Sequence, residues 1–308
     1  MIIFNHNLLF QDEPGLEVGK FKNDTETIPV VEKPAPRLSE NFVPRSDWLE
    51  MSGRQARYRS RRPFEKADKD FSWALEVKGV LSLVWDATER KIVYLKEDEY
   101  TPERLRFWVL HTFFPLVLEL QRTYRVLHVG SVIIEGKAVL FSALSFGGKS
   151  TLTDYFIRQG HTLLADDCLA IEKRNDGYYA IPSYPFRRPF RETETLGHYT
   201  DNFYPEPKLL HTVFLLKKSA ADAAVMITEL KGIEKFKAFH YSSFINLNFM
   251  KEECFNFYMQ MGQYITVFQV TIPWDLGRLG EIHEVIVRHL QAPGDNHIFS
   301  HPNAGILG

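Results

Sequence analysis

Near its middle the chain reads Ala143-Leu144-Ser145-Phe146-Gly147-Gly148-Lys149-Ser150. This spacing matches a phosphate-binding loop (P-loop), with alanine where the pattern usually has its first glycine. Residues 138–143 before it have the apolar pattern of a strand, and residues 151–158 after it have the pattern of a helix. The N–H groups of such a loop surround a phosphate, and the helix directs the positive end of its dipole at the anion. The sequence therefore predicts a strand, a phosphate-binding loop and a helix in this order.

The residue types in the loop predict the ligand. Lys149 is expected to reach the β- and γ-phosphates of a nucleoside triphosphate, and the Ser150 hydroxyl is expected to ligate Mg²⁺. ATP and Mg²⁺ are therefore the predicted cofactors. The other predicted nucleotide contacts are Ser145, Phe146, Gly147, Gly148 and Thr151. A glycine-containing turn without a ligand stays open as the alternative.

Two adjacent carboxylates follow the next apolar stretch. Asp166 and Asp167 come directly after the predicted strand 162–165. Asp166 lies 17 residues beyond Lys149, an interval that fits one helix and one returning strand. One carboxylate in such a place holds Mg²⁺, and a second within reach accepts the proton of an attacking hydroxyl. A turn or a helix N-cap is the alternative for such a pair.

His128 lies on the predicted strand that precedes the loop strand. If the segments 126–134 and 138–143 form an antiparallel pair around the turn at 135–137, His128 comes close to Ala143 at one end of the sheet. There it would pair with one of the aspartates and tune its basicity. A partly buried histidine without a catalytic role is the alternative.

Three elements together resemble a known family. Leu127-His128-Val129, the loop 143–150 and the run Gly160-His161-Thr162-Leu163-Leu164-Ala165-Asp166-Asp167 are similar to the C-terminal catalytic domain of the HPr kinase/phosphorylase family. The resemblance covers about residues 126–172. It implies an α/β fold with a mixed β-sheet of the HPr kinase/phosphoenolpyruvate carboxykinase type, and phosphorylation of a serine hydroxyl.

The resemblance also implies roles for single residues. Lys149 would bind phosphate and Ser150 would bind Mg²⁺. Asp166 would be the catalytic base with His128 as its partner, and Asp167 would be the carboxylate on the metal side. The sequence 181–190 lacks the glycine-rich signature of the bifunctional members, so phosphorolysis and HPr itself as substrate are not predicted.

Two arginine-rich runs have alternative interpretations. Arg187, Arg188 and Arg191 would clamp a phosphate or an acidic substrate, or would pair with acids such as Glu192 and Glu194. The run 54–62 holds five arginines in nine residues and fits either an acidic or phosphate ligand or an internal ion-pair segment.

The rest of the sequence sets the organisation. Scattered prolines predict an irregular arm over 1–66, followed by the P-loop domain over 67–291 and a flexible tail over 292–308. The chain has 37 basic and 39 acidic residues, which gives no global attraction to nucleic acid or to anionic membranes. No stretch predicts a signal peptide or a membrane span, and Cys168 and Cys254 form no disulfide framework, so a cytoplasmic location is expected.

The sequence thus predicts an ATP-dependent kinase that phosphorylates a serine-type hydroxyl of a peptide or protein, with no nucleic-acid or membrane partner. It leaves a homo-oligomer open. The alternatives are a small-molecule kinase with the same residues and a nucleotide-binding scaffold without turnover.

Overall fold

The computed structural model describes residues 1–13, 25–33, 41–144, 146–189 and 194–292. Within these ranges the chain forms two nine-stranded sheets with parallel and antiparallel pairs, together with helices. The predicted α/β class with a mixed sheet is therefore confirmed. Among the same residues, no helix is long and apolar enough to cross a membrane.

The N-terminal sheet contains the first nine strands. They are β1 (Ile2–Ile3), β2 (His6–Phe10), β3 (Thr27–Glu32), β4 (Val43–Pro44), β5 (Leu49–Met51), β6 (Arg54–Ser60), β7 (Trp73–Val77), β8 (Leu81–Asp86) and β9 (Lys91–Lys96). Their order is β1-β2-β3-β9-β8-β7-β6-β4, and β5 also pairs with β6.

The second half of the chain contains eleven further strands within the described residues. They are β10 (Arg125–Leu127), β11 (Gly130–Ile134), β12 (Lys137–Ser142), β13 (Thr162–Asp166), β14 (Leu169–Arg174), β15 (Gly177–Ile181), β16 (Phe186–Arg187), β17 (His198–Tyr199), β18 (Lys208–Ser219), β19 (Met226–Glu229) and β20 (Thr266–Pro273). Nine of them form the C-terminal sheet in the order β10-β14-β15-β18-β12-β11-β13, with β20 on β18 and β19 on β20. Strands β16 and β17 form a separate two-stranded ribbon.

The helices are α1 (Pro102–Phe107), α2 (Phe114–Leu120), α3 (Lys149–Arg158), α4 (Ile233–Tyr241), α5 (Lys251–Tyr264) and α6 (Leu279–Gln291). Thr101 caps α1, because its side chain accepts a hydrogen bond from the Arg104 N–H group. A π-helical segment, Trp108–Phe113, joins α1 to α2. Pro115 explains this widening, since it offers no N–H group to the preceding turn and its ring crowds the backbone there.

The irregular structure predicted for residues 1–66 is wrong for the described part of that range. Strands β1 to β6 lie there, and β6 and β3 pair directly with β7 and β9. The prolines misled the prediction because both lie within strands. Pro44 is in β4 at the edge of the sheet, and Pro29 is in β3, before the residues of that strand that pair with β9. The division of the chain into domains remains a prediction, and the tail from 293 onward lies outside the described residues.

Helices cover both faces of the C-terminal sheet. Along β12 the side chains alternate, so that Val139 and Phe141 pack with α3 and α6, whereas Ala138 and Leu140 pack with α4 and α5. The α1–α2 segment instead packs against the N-terminal sheet, where Trp108 joins a cluster of buried aromatic residues. This arrangement leaves the carboxyl ends of the central strands open as the place for a site.

Candidate functional site

The loop after β12 joins a strand to a helix, in the order that the sequence predicted. Strand β12 ends at Ser142 and helix α3 begins at Lys149. Inside the loop the Gly147 N–H group donates to the Leu144 carbonyl over 2.8 Å. A Cβ atom at Gly147 would lie 2.5 Å from the Cβ atom of Ala143, so only glycine fits there. The strand–loop–helix prediction is confirmed, whereas Ser145 lies outside the described residues.

Backbone strain concentrates at the same turn. Phe146 has a φ of 59° and Gly148 a φ of 86°, both in the left-handed region. That conformation is easy for Gly148 and unfavourable for Phe146, whose side chain is 75% exposed. Lys149, in contrast, is buried at the start of α3 although it carries a charge. A buried lysine beside a strained loop is consistent with an anion site.

Strand register brings the aspartates to this loop. Gly130, the first residue of β11, lies opposite Phe141 of β12 on one side and opposite Asp166 of β13 on the other. Because β11 is antiparallel to both neighbours, β12 and β13 end at the same edge of the sheet. A Cβ atom at Gly130 would lie 1.9 Å from the Thr153 hydroxyl oxygen, so glycine lets α3 pack closely here.

Asp166 is a buried carboxylate in an unfavourable environment. Burial raises its pKa to about 6, and the charge of Asp167 adds to that rise, against the lowering effects of Lys149 and Ser150. The Arg188 N–H group donates to its Oδ2 atom over 2.6 Å. Its Oδ1 atom is also buried, and no hydrogen bond of normal geometry reaches it from the residues that the structure describes. Ser150 is the hydroxyl whose hydrogen bond lowers the pKa of this carboxylate, and Oδ1 can still accept a cation or a proton.

Asp167 is stabilised as an anion. Burial acts to raise its pKa, but the hydrogen bond and charge of His111, with the charges of His128 and Lys149, hold that pKa well below its usual range. His111 Nε2 lies 3.0 Å and Arg188 Nη1 lies 2.9 Å from Asp167 Oδ2. His128 Nδ1 lies 3.4 Å from Asp167 Oδ1. Asp167 has a φ of 97°, so strain marks this residue as well.

These contacts correct one expected pairing. The sequence assigned His128 as the partner of Asp166, but the structure places it against Asp167. The reason is the break between β10 and β11: the predicted strand 126–134 is interrupted at residues 128 and 129, where the Asp167 N–H group donates to the Val129 carbonyl over 3.1 Å. This bond draws Asp167, rather than Asp166, toward the His128 side.

His111 is the site residue that sequence reasoning missed. It lies in the π-helical segment, and its ring stacks on Phe107 with centroids 4.6 Å apart. The Arg188 guanidinium lies over the same phenylalanine, 5.3 Å from the ring centroid. The only signal in the sequence was a histidine in the most apolar segment of the chain, four residues before Pro115.

The arginines near the site divide between two carboxylates. Arg188 contacts Asp167, as described, whereas Arg187 forms an ion pair with Asp154 of α3. Arg191 and Glu192 lie outside the described residues. Glu194 accepts from Trp108 Nε1 over 2.8 Å and pairs with Arg54 and Arg104. Of the two arginines in this run that the structure describes, Arg188 belongs to the site.

The N-terminal arginine run follows the ion-pair interpretation. Besides Arg54, which pairs with Glu194, Arg57 and Arg59 both contact Glu76, and Arg62 contacts Asp68. Four of the five arginines in this run are thus bound to acids of the same chain. Nothing in these contacts favours a nucleic-acid or acidic-peptide surface.

The carboxylate edge fits a magnesium ion bound together with phosphates. The described residues contain no cluster of three or more histidine, cysteine or acidic side chains arranged for a metal. Magnesium in phosphate loops, however, is held by one hydroxyl and one or two carboxylates, with phosphate oxygens and water as the other ligands. Ser150 and the adjacent carboxylates Asp166 and Asp167 provide the residue types of such a set.

The chain shows distant similarity to a protein of known structure. No protein-family model matches the chain. No curated protein matches it either. Among solved structures, the HPr(Ser) kinase/phosphatase from Coxiella burnetii is similar at 14% identity with a TM-score of 0.33, over 54% of this chain and 97% of that one. A likeness at this level establishes no functional relationship.

Proposed function

We propose that this protein is an ATP- and Mg²⁺-dependent kinase that transfers the γ-phosphoryl group to a serine-type hydroxyl of a peptide or protein. The proposal rests on one observation. Lys149 and Ser150 lie beside the buried carboxylates of Asp166 and Asp167 at one edge of the sheet. A cationic group, a hydroxyl ligand for a metal and two carboxylates of different basicity are the parts that phosphoryl transfer needs.

The unequal environments of the two aspartates suggest separate tasks. When two neighbouring carboxylates have pKa values pushed apart, the one with the raised pKa is suited to exchange protons and the other stays ionised. Asp166, with a pKa of about 6, would accept the proton of the acceptor hydroxyl through its Oδ1 atom. Asp167 would remain negative, with His111 and His128 holding it in place.

The cations of the site would bind and orient the phosphates. Lys149 would contact the β- and γ-phosphates, and the N–H groups at the start of α3 would donate to phosphate oxygens. Ser150 and Asp167 would hold Mg²⁺, which when bound neutralises charge on the phosphoryl oxygens. Arg188 links both aspartates through its backbone and its side chain, so it fixes their spacing.

The test combines binding with transfer. Calorimetry would measure Mg·ATP binding, and labelled ATP would report transfer to a pool of serine-containing peptides. Lys149→Ala is expected to lose both, while the matched change Lys173→Ala, at an exposed lysine of β14, is expected to lose neither. Binding without transfer, to peptides or to a panel of metabolites, would favour the scaffold. No binding by the wild-type protein would refute the proposal.

Two substitutions test the division of tasks. Asp166→Asn is expected to reduce the transfer rate at least 100-fold while Mg·ATP still binds, because only the proton acceptor is lost. Asp167→Asn is expected to raise the Mg²⁺ concentration needed for half-maximal activity. The reverse pattern would still support a kinase, but it would make Asp167 the proton acceptor and Asp166 the magnesium ligand.

A further inference from the structure

An apolar cleft opens beside the loop, on the side away from the aspartates. It measures about 220 Å³ and lies between the start of α3 and the segment that joins β20 to α6. Gly148 and Thr151 line it on the loop side, and Trp274, Leu276 and Leu279 line it on the other. Lys149, Asp166 and Asp167 are not among the described residues that line it. The cleft and the loop share Gly148, whereas strands β18, β12 and β11 lie between β20, which leads to the cleft, and β13, which ends at Asp166.

The cleft exposes an aromatic ring to solvent. Trp274 is 50% exposed and Leu276 is 74% exposed, a large apolar surface for two neighbouring residues. The Lys218 ammonium lies over the indole, 3.7 Å from the ring centroid. A Cβ atom at Gly148 would lie 3.2 Å from the indole ring, so the tryptophan packs directly against the loop. A ligand on the loop would thus meet this ring.

The direction of a bound triphosphate follows from the loop chemistry. In a phosphate loop the lysine reaches the β- and γ-phosphates, while the backbone N–H groups hold the α- and β-phosphates. The γ-phosphate end then lies toward Lys149 and the aspartates. The α-phosphate end, which carries the nucleoside, points toward the opposite side, where the cleft begins at Thr151.

The size and chemistry of the cleft fit one flat ring system. Pockets for ligands the size of a drug measure roughly 300–1,000 Å³, so about 220 Å³ suits part of a nucleotide rather than the whole. Apolar walls with one exposed aromatic ring favour stacking, which every nucleobase offers. We propose that this cleft receives the nucleobase of the bound triphosphate, stacked on Trp274. The inference rests on the proposed function, because it takes the loop as the phosphate site.

The experiment separates the base from the phosphates. Calorimetry would measure the affinities of Mg·ATP and of Mg·tripolyphosphate, which carries the phosphates without a base, for the wild type and three variants. Trp274→Ala is expected to weaken ATP binding by about 5- to 150-fold, the range of one lost base–aromatic stack, and to leave tripolyphosphate binding unchanged. Trp274→Phe, which keeps an aromatic face, is expected to stay within about threefold of the wild type. Trp48→Ala is the matched control, since Trp48 is partly exposed and lies under a cation, Arg57, in the N-terminal half.

Each result has a defined meaning. Loss of ATP affinity in Trp274→Ala with intact tripolyphosphate affinity supports the cleft as the base site. Equal ATP affinity in Trp274→Ala and in the wild type overturns the inference and leaves the proposed function intact, and a changed oligomeric state in that variant would then assign the cleft to a protein partner. If Trp274→Ala weakens the binding of ATP and of tripolyphosphate equally, the inference is overturned as well. This holds even if the variant also has a lower melting temperature. If the wild type binds neither ligand, the proposed function fails and the inference fails with it.

Discussion

Asp166→Asn is expected to stabilise the folded protein at neutral pH although it removes the proposed base. Burial and the charge of Asp167 raise the pKa of Asp166 from 3.8 to about 6, so its ionised form is disfavoured in the folded state. Each pKa unit corresponds to about 1.4 kcal/mol, which makes the cost of ionising Asp166 about 3 kcal/mol. Asparagine keeps the shape and an acceptor for the Arg188 N–H group without that cost.

The pH dependence of this stability gain follows from the direction in which folding moves the pKa of Asp166. Well below pH 3.8, Asp166 is protonated in both the folded and the unfolded state, so ionisation costs nothing. Between about pH 4 and pH 6 the unfolded state releases the proton first, and the stability of the wild type falls as pH rises. Above about pH 6.5 the penalty is complete and constant. The advantage of Asp166→Asn should therefore be small near pH 4 and full at pH 7.5.

Thermal melting across pH 4.5–8 checks this prediction. A gain of about 3 kcal/mol in a chain of this length raises the melting temperature by about 3–6 °C. Asp167→Asn is the matched comparison with the opposite sign, because the pKa of Asp167 is lowered in the folded state by His111, His128 and Lys149. It should lower the melting temperature at all pH values above about 4. An Asp166→Asn variant that melts below the wild type at pH 7.5, or that gains equally at pH 4.5, would refute the reasoning.

Two further substitutions test other parts of the structure. Gly148→Ala and Gly136→Ala each place a side chain at positive φ and should each cost about 1–2 kcal/mol of stability. Only Gly148→Ala should also weaken Mg·ATP binding in calorimetry, because its Cβ atom would contact Trp274, whereas a Cβ atom at Gly136 would contact no other residue. Equal Mg·ATP affinities of the two variants would contradict this expectation. Glu194→Gln should lower stability by about 1–3 kcal/mol in thermal melts, because Arg54 and Arg104 lose a buried anion. Glu99 is an exposed partner of the same arginines, so Glu99→Gln should change the stability by less than about 1 kcal/mol. A comparable loss of stability in Glu194→Gln and Glu99→Gln would show that burial does not strengthen these ion pairs.

Local patterns in the sequence determined the elements around the site. The run 143–150 predicted a strand, a tight glycine loop and a helix because close backbone approach at Gly147 and a left-handed turn at Gly148 depend on neighbouring residues alone. Strand β12 was readable for the same reason, because the apolar pattern of residues 138–143 lies in consecutive positions of the sequence. The adjacency of Asp166 and Asp167 to the loop was also predictable, since one helix and one strand separate them.

Tertiary structure decided how the charged groups are paired. His111 reaches Asp167 from a segment 56 residues away, and no local pattern specifies that contact. His128 contacts Asp167 rather than the predicted Asp166, because the segment that looked like one strand in the sequence is broken between β10 and β11. The N-terminal strands escaped prediction because their stability comes from pairing with distant neighbours, such as β3 with β9, rather than from their own composition. Sequence sets what each segment can do, whereas burial and long-range pairing set the pKa values and the partners on which function depends.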